Sequence, residues 1–349
     1  MGIKKLNKFI CEKHLINEYA NLEIYLMHNK KNNKNAILAI DFWLYAYKFS
    51  YSYGDMMIGF WNQAIKFLSH RIIPLYIFDG KPPNEKQSLL SMRQKKKQNI
   101  EIKLQNVCDD IELGGEVNIE LLKKEKQRLE KSLVHITKLD IHMVKQMFDT
   151  LNVPFMVAKG EADSLCAKLY KEGVITACLS DDMDMLALGC GKTIKFVEGK
   201  IIEFDLVKIL EGLGLNQDEF VDMCILFGCD YIRSYNKLNY NESFDLIKKY
   251  KSIKNILTDA DHEILNYDND RCSVLIKEYS NVQLLFKNAC DEEYVDPLNK
   301  ICITKKIGVV DVIGFLTIRC PKILKYRGNK IKHSIDYINN HIVNNFMNA

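Results

Sequence analysis

Short apolar runs of strand length alternate with segments of helical periodicity along the first half of the chain. Residues 37–41 (ILAID), 73–79 (IPLYIFD) and 174–179 (VITACL) are apolar and short, which is typical of buried strands. Residues 140–151 and 161–173 have the apolar spacing of amphipathic helices. The alternation predicts an α/β fold with a mainly parallel central sheet flanked by helices.

The rest of the pattern adds a strand, a hairpin and two helical regions. Residues 154–158 (PFMVA) predict a strand, and residues 192–206 predict a β-hairpin that turns about EGK. Residues 84–133 are polar, rich in lysine and compatible with helix, with the glycine pair at 114–115 as the clear break. Beyond residue 206 the periodicity is helical.

Composition limits the class of protein. The chain has 349 residues and is 47% hydrophobic, enough for a large core in one elaborate domain or two. No apolar run approaches the roughly 18 residues of a membrane span, the start lacks the apolar stretch of a signal peptide, and Leu6 breaks the myristoylation pattern. The net charge of +4 is too small to indicate a partner. The odd count of 11 cysteines, without a C-x-x-C pair, predicts free thiols in a reducing compartment.

Carboxylates follow the predicted strands, at the points where functional groups of open α/β sheets gather. Helix capping or a turn explains any one of them. Together they are more numerous than capping requires. Bringing them together is also costly, because two like charges 4 Å apart repel by about 4 kcal/mol at an effective dielectric near 20. The acids are Asp41, Asp79, Glu161, Asp163, Asp181, Asp182, Asp184 and Asp230.

Hard divalent cations would relieve this repulsion, since they bind oxygen ligands and sit where negative charge concentrates. Two such ions about 4 Å apart can activate a water and stabilise the leaving oxygen of a phosphodiester. The acid cluster therefore predicts a two-metal hydrolase site.

Six segments, in order, resemble the XPG-type structure-specific 5′ nucleases, the family of the flap endonucleases. They are MGIKKL, AIDFWLYAYKF, YIFDGKPPNEK, KGEADSLCAKL, LSDDMDML and FVDMCILFGCDYI, and the resemblance runs from residue 1 to about residue 260. It implies a PIN-like 5′ nuclease fold with a helical arch and a C-terminal helical DNA-binding region. It also implies a Mg²⁺-dependent flap endonuclease or 5′-3′ exonuclease in DNA replication, repair or recombination, of cellular or viral origin.

The resemblance divides the chain into five regions. They are an N-terminal nuclease region (1–83), a helical arch or cap insertion (84–139), an internal nuclease region (140–230), a degenerate helix-turn-helix-type duplex-binding motif (231–260) and a C-terminal basic helical region (261–349).

By position, the resemblance assigns two Mg²⁺ ions, replaceable by Mn²⁺, to seven carboxylates, some acting through bound water. The second acid of the E-A-D segment is shorter than the glutamate usual in the family, and a water could bridge the missing methylene. Asp181 matches an acidic position that is not a principal ligand. The first ion is assigned Asp41, Asp79, Glu161 and Asp163, and the second ion is assigned Asp182, Asp184 and Asp230.

Basic and aromatic residues receive DNA-contacting roles from the same resemblance. Lys86 and Arg93 match two gateway-helix residues near the scissile phosphate, and their spacing of seven puts both on one helix face. The lysine run of the arch, otherwise an ordinary solvated face, becomes an electrostatic funnel for single-stranded DNA. Tyr47 matches an aromatic that stacks on a base, although a core role is equally open. The run consists of Lys95, Lys96 and Lys97.

The start of the chain carries a further expectation. In the family, methionine removal leaves Gly2 beside the active site, and its α-amine, with a pKa near 8, would help to arrange ligands or meet a phosphate. The alternative is a disordered start, which is usual for chain termini.

The last part of the chain departs from the family pattern in its turn and in its clamp-binding box, and it adds a basic stretch. The family carries a glycine-rich turn around a monovalent cation, but residues 237–243 read KLNYNES. Asn239 and Asn241 tolerate left-handed backbone, so a similar turn stays open, while close approach to a phosphate is less assured. Residues 302–333 are basic, with Phe315 and Tyr326 interleaved, which fits either a second DNA contact or a solvated face. No sliding-clamp-binding box occurs.

The predicted partner is DNA with 5′ flaps or junctions of single and double strands, bound by a monomer without membrane association. The predicted location is the nucleus, or a cytoplasmic replication site if the chain is viral. The alternatives are a mainly 5′-3′ exonuclease on nicked duplex, a catalytically inactive DNA-binding relative, and a metal-dependent phosphatase.

Overall fold

A computed structural model describes residues 2–3, 5–29, 36–83, 86–113, 119–232, 238–259, 269–289 and 305–343, which divide into an α/β unit and a helical unit. The α/β unit is drawn from Met1–Phe42, His70–Pro82 and Pro154–Cys302, and the helical unit from Trp43–Ser69, Pro83–Val153 and Ile303–Ala349.

The α/β unit contains a seven-stranded sheet in the order β1-β7-β6-β5-β2-β3-β4. The pairs β2/β3, β2/β5, β3/β4 and β5/β6 are parallel, whereas β1/β7 and β6/β7 are antiparallel. The mainly parallel sheet confirms the predicted fold class. The strands are β1 (Asn17–Tyr19), β2 (Ala36–Asp41), β3 (Ile72–Phe78), β4 (Phe155–Val157), β5 (Ala177–Leu179), β6 (Lys192–Val197) and β7 (Lys200–Asp205).

The helices are, in chain order, α1 (Leu6–Glu12), α2 (Leu22–Asn29), α3 (Phe42–Tyr53), α4 (Met56–Ser69), α5 (Gln87–Leu113), α6 (Ile119–Ser132), α7 (Lys138–Thr150), α8 (Ala162–Lys171), α9 (Asp184–Ala187), α10 (Leu206–Leu213), α11 (Gln217–Phe227), α12 (Tyr240–Tyr250), α13 (Ile253–Asp259), α14 (Asn269–Asn288), α15 (Val309–Arg319) and α16 (Pro321–Ile338), and a π-helical turn follows at Asn339–Val343.

Aromatic packing joins the helices of the α/β unit at one point of its core. Phe9 of α1 is fully buried, and its ring lies 5.3 Å from Phe227 of α11 and 5.3 Å from Phe244 of α12. Burying a phenylalanine side chain contributes about 1.5–3 kcal/mol. The ring therefore fixes α1, and with it the start of the chain, against α11 and α12.

The helical unit is built around α4. Phe60 of α4 meets Phe49 of α3 and Phe148 of α7 edge to face, at 5.1 and 5.7 Å between ring centroids. Helix α16 packs on α4 and α15, and the Asn339 side chain holds both backbone polar groups of Ile307. Helices α5 and α6 pack on each other, so the helical insertion predicted at 84–133 is confirmed; its glycine pair lies outside the described residues.

The structure confirms most predicted elements and shortens one. The 174–179 segment forms strand only at Ala177–Leu179, and the three-residue polar strand β1, which pairs with β7, was not predicted. Every cysteine in the described part is a free thiol, as expected. Within those same residues, no helix has the length and apolar character needed to cross a bilayer.

Candidate active site

The predicted acids meet because four neighbouring parallel strands end at one edge of the sheet. Ile40 of β2 pairs with both Tyr76 of β3 and Leu179 of β5, and Tyr76 pairs with Phe155 of β4. Asp41 is the last residue of β2, and each of the other carboxylates follows the end of its strand within about six residues. The register thus brings Asp41, Asp79, Glu161, Asp163, Asp182 and Asp184 to the carboxyl edge of the sheet.

Backbone hydrogen bonds join the loop after β3 to the loop after β4. The Gly80 amide donates to the Gly160 carbonyl at 2.7 Å, and the Lys81 amide donates to the Lys159 carbonyl at 2.9 Å. A β-carbon at Gly80 would overlap the carbonyl oxygens of Ala158 and Lys159, so only glycine fits between these two backbones. This contact sets the separation of Asp79 from the first turn of α8.

Asp79 acts as a capping residue for a helix that it does not belong to. Its Oδ1 accepts a hydrogen bond of 2.7 Å from the Ala162 amide at the start of α8. Glu161 occupies the N-cap position itself, yet its side chain makes no capping hydrogen bond. The usual reason for an acid at a helix start therefore does not account for Glu161.

Tyr231 contacts the cluster and was not predicted to do so. Its hydroxyl donates to Glu161 Oε2 at 2.8 Å. Burial raises the pKa of the Tyr231 phenol, and the neighbouring carboxylates of Glu161 and Asp184 raise it further. The available signal was its position directly after Asp230, in a segment already assigned a ligand.

Asp163 is half-buried, and its Oδ1 is shielded from solvent beside other carboxylates. Burial raises its pKa well above the usual value, and the charges of Asp182 and Asp41 add to the rise. Among the described residues, no hydrogen-bond donor reaches Asp163 Oδ1. Such an atom costs about 1–3 kcal/mol unless it finds a partner.

Two other acids, both buried, show a different arrangement. Asp222 of α11 accepts hydrogen bonds from the Ile253 amide at 2.9 Å and from the Gln283 side chain. Glu203 of β7 accepts from the Asn17 side chain at 2.9 Å and lies 3.7 Å from the Lys192 ammonium. Glu203 Oε2, like Asp163 Oδ1, has no hydrogen-bond donor among the described residues, but the Lys192 ammonium lies near it. Donors or a positive charge therefore compensate Asp222 and Glu203, whereas the groups that act most strongly on Asp163 are carboxylates.

Asp182 and Asp184 form a tight turn against Gly2. The Asp184 amide donates to Asp182 Oδ1 at 3.0 Å, and the Asp182 amide donates to Ser180 Oγ at 3.0 Å. Gly2 has a φ of +73°, and a β-carbon there would overlap Asp182 Oδ1. The structure thus brings Gly2 to the acid cluster, as the sequence predicts.

Asp230 lies in the segment after α11 and is partly exposed. Burial raises the pKa of the adjacent Cys229 thiol to about 11, and both Asp184 and Asp230 contribute to the rise. Asp184 and Asp230 therefore both lie near the Cys229 thiol.

The predicted DNA-contacting residues belong to the helical unit. Lys86 lies in the turn before α5 and is half-buried, Arg93 is exposed on α5, and Tyr47 on α3 is 51% exposed, with its ring 6.1 Å from that of Trp43. Lys95 and Lys96 are exposed and Lys97 is half-buried. These residues and the acids belong to different units, so the DNA-contacting roles stay predictions.

Residues 238–243 of the glycine-free segment form a self-capped helix start, and neither Asn239 nor Asn241 has left-handed backbone; Lys237 lies outside the described residues. Asn239 has extended backbone (φ −80°, ψ 170°) as the N-cap of α12, and Asn241 is helical. The Asn239 side chain accepts from the amides of Asn241 and Glu242, at 2.9 and 3.1 Å, while Glu242 accepts from the Asn239 amide at 2.8 Å. Three amide donors that could hold an anion at this end are therefore already used.

The basic C-terminal stretch lies largely on α15 and α16. Lys322, Lys325, Arg327, Lys330 and Lys332 are exposed along α16. Phe315 is half-buried on α15, and the Tyr326 side chain lies outside the described residues. The surface is basic, as the sequence predicts.

The acid edge fits a hard divalent cation on two observations. The donor set consists entirely of carboxylates, and Asp163 offers a buried oxygen that no described donor satisfies. In the described part of the chain, no three His, Cys, Asp or Glu side chains already stand as a finished metal cage. The residues able to hold cations are therefore assigned by their common edge and chemistry.

Known proteins are similar to this chain in sequence. Two family models match the chain, the XPG N-terminal domain over residues 1–100 and the XPG I-region over residues 152–230. Flap endonuclease 1 of Enterocytozoon bieneusi (strain H348) is 33% identical over 270 residues, covering 74% of this chain and 72% of that protein. Flap endonuclease 1 of Brugia malayi is 35% identical over 207 residues, covering 58% and 52%. The chain thus spans about half the length of several curated relatives it matches.

Solved structures share the fold at low sequence identity. The catalytic core of Rad2 in complex with DNA substrate gives a TM-score of 0.65 at 17% identity, covering 97% of this chain and 100% of that one. Flap endonuclease-1 from Methanococcus jannaschii gives 0.60 at 17% identity, covering 95% and 98%. The Holliday junction-resolving enzyme GEN1, solved with product DNA, Mg²⁺ and Mn²⁺, gives 0.56 at 14% identity, covering 92% and 76%.

Replacing Gly80 tests the junction between the two acid-bearing loops. Gly80→Ala should lower the free energy of unfolding by about 1–3 kcal/mol, because the methyl group meets backbone that cannot rotate away. Chemical denaturation measures this difference. Gly314→Ala in α15 is the control, since a β-carbon there meets nothing within 4 Å and alanine favours helix. Equal effects of the two substitutions would contradict the assignment.

Neutralising Asp163 tests whether the acid edge is held at a cost. The pKa of Asp163 is higher in the folded protein than in the unfolded chain. The free energy of unfolding therefore falls as pH rises from the unfolded-state pKa to the folded-state pKa, so the destabilisation is present at neutral pH. Asp163→Asn should therefore raise the melting temperature without metal by a few degrees and reduce the further rise that Mg²⁺ or Mn²⁺ produces. Thermal scans at pH 7, with and without metal, measure both changes. An unchanged metal response would remove Asp163 from the site.

Proposed function

Because the chain belongs to the XPG family of structure-specific nucleases, we propose that it is a 5′ flap endonuclease that hydrolyses phosphodiester bonds in branched DNA. The observation that carries the proposal is the convergence of six carboxylates on one sheet edge, where Asp163 Oδ1 is shielded from solvent and lacks a described hydrogen-bond donor. The similarity to flap endonuclease 1 supports the flap as the substrate feature. The nucleus, or a viral replication site, is the proposed place of action.

Two Mg²⁺ ions are the proposed cofactors, with Mn²⁺ as a substitute. Bound there, they would lower the pKa of a water and stabilise the leaving oxygen. The chain supplies Asp41, Asp79, Glu161 and Asp163 to the first and Asp182, Asp184 and Asp230 to the second. Complexes of GEN1 with Mg²⁺ and Mn²⁺ support this choice of metals. Ca²⁺ should not sustain cleavage, because its longer bonds and looser coordination relax the geometry that the acids define.

The chain's own groups fix several of these carboxylates before any cation binds. The Ala162 amide orients Asp79, the Asp184 amide orients Asp182, and the Tyr231 hydroxyl orients Glu161. Such contacts reduce the rotamer freedom that cation binding would otherwise have to remove. The edge is therefore partly organised for oxygen coordination.

The helical unit supplies the proposed contacts to DNA. Lys86 and Arg93 are proposed to meet the scissile phosphate, where the planar guanidinium can hold two phosphate oxygens as negative charge develops. Lys95, Lys96 and Lys97 would attract the single-stranded flap, and the exposed ring of Tyr47 would stack on a base. The basic face of α16 is proposed as a second phosphate contact.

Asp182→Ala tests the nuclease assignment. We expect cleavage of a labelled 5′ flap in Mg²⁺ to fall by orders of magnitude, while flap binding measured in Ca²⁺ stays within about threefold, because the loss is confined to metal coordination. Asp181→Ala is the matched control, an adjacent acid with no assigned ligand role, and should cleave normally.

The same assay separates the alternatives. Wild-type protein should cut the flap faster than it degrades a nicked duplex from its 5′ end. The reverse preference would make it mainly an exonuclease, cleavage confined to small phosphate esters would indicate a phosphatase, and full activity of Asp182→Ala would remove the metal-site argument.

Arg93→Ala tests the contribution of α5 to the chemistry. Single-turnover cleavage should fall by about 10²–10³-fold with little change in flap affinity, since the guanidinium is expected to act on charge that develops in the transition state. Arg128→Ala is the control, because this arginine pairs with Glu125 on α6, at 2.7 Å from its Nε. An equal loss of rate and affinity would mean that Arg93 only positions DNA.

A further inference from the structure

Glu161 is the proposed ligand whose side chain has the most rotatable bonds. It has the longest side chain of the seven acids, and although it is the N-cap residue of α8, its carboxylate does not cap the helix. Asp79 and Asp182, by contrast, are each held by a backbone amide, at 2.7 and 3.0 Å. Helix geometry alone therefore does not orient the Glu161 carboxylate.

An aromatic side chain contacts the Glu161 carboxylate. Tyr231 OH donates to Glu161 Oε2 at 2.8 Å, across 70 residues of sequence. The Tyr231 ring meets Phe286 of α14 edge to face, with centroids 5.5 Å apart and planes at 85°, and Phe286 is 2% exposed. Packing on a buried phenylalanine restricts the tyrosine ring, and a restricted ring holds its hydroxyl in one place.

We propose that Tyr231 is a positioning residue that sets the affinity of the acid edge for divalent cations by orienting the Glu161 carboxylate. The inference rests on the proposed function, because it assumes that Glu161 is a metal ligand. Hydrogen bonds to a ligand carboxylate fix its rotamer, and losing one typically weakens metal binding 10- to 100-fold. Helix α14 then contributes to the site through Phe286 without supplying a ligand.

Tyr231→Phe tests this directly, since it keeps the ring against Phe286 and removes only the hydroxyl. Isothermal titration of the full chain with Mn²⁺ and no DNA should show about tenfold weaker binding. In flap cleavage, the Mg²⁺ concentration for half-maximal rate should rise by a similar factor, and the rate at saturating Mg²⁺ should return close to that of the wild type.

Tyr240→Phe is the matched control. The Tyr240 hydroxyl also donates to a glutamate, Glu12 Oε2 at 2.9 Å, but at an exposed position unrelated to the acid edge. This variant should bind Mn²⁺ with wild-type affinity. A shift of equal size in both variants would overturn the inference, because it would reflect hydroxyl loss in general.

Unchanged Mn²⁺ affinity in Tyr231→Phe also overturns the inference. If the melting temperature of that variant falls at the same time, the hydroxyl contributes to packing alone. Failure of the wild type to cut flaps while still binding Mn²⁺ would count against the proposed function only, since the titration measures positioning without catalysis. Absence of Mn²⁺ binding to the wild type would overturn both.

Discussion

Repulsion among carboxylates at the carboxyl edge of the sheet is the constraint that organises this molecule. Two charges 4 Å apart cost about 4 kcal/mol at an effective dielectric near 20, and total stabilities of domains are only about 5–15 kcal/mol. The surrounding structure has to hold the acids against this force. It does so with backbone: the Ala162 amide binds Asp79, the Asp184 amide binds Asp182, and the Gly80 and Gly160 loops are joined directly. At Glu161 a side chain contributes as well, because the Tyr231 hydroxyl donates to its carboxylate.

The contrast between two aspartates separates function from structure. Asp222 is buried and Asp163 is half-buried, and burial raises the pKa of both. The donors around Asp222 compensate its burial, whereas the nearest influences on Asp163 are further carboxylates. A protein gains nothing in stability from the second arrangement, and groups that lower stability in this way are characteristic of functional sites. The same reasoning applies to Gly2, whose lack of a side chain allows backbone to approach Asp182 and Asp184.

Sequence alone was sufficient where a local pattern determines the outcome. The strands at 37–41 and 73–79 and the hairpin at 192–206 are confirmed, because their apolar runs and turn residues act over a few positions. The acids could be gathered at one edge because parallel strands share a carboxyl end. Strand β1 was missed, since NEY is polar and becomes a strand only by pairing with β7. The contact of Tyr231 with Glu161 joins residues 70 positions apart, and no spacing rule reaches that far.

The sequence at the start of α12 contains a pattern that predicts its structure. Asparagine followed three residues later by glutamate is a capping-box pattern, and the structure forms it at Asn239 and Glu242. A phosphate approaching this end would have to displace the Glu242 carboxylate from the Asn239 amide and would meet its negative charge. In the proposed function, duplex affinity would come from dispersed basic residues such as those along α16 more than from this helix start. Binding of that kind depends steeply on salt, because each phosphate contact releases counterions, and it fixes the register of the duplex less closely than an anion site at a helix end. In the proposed function, selection of the scissile bond would therefore depend more on the acid edge and the flap contacts than on a fixed duplex clamp.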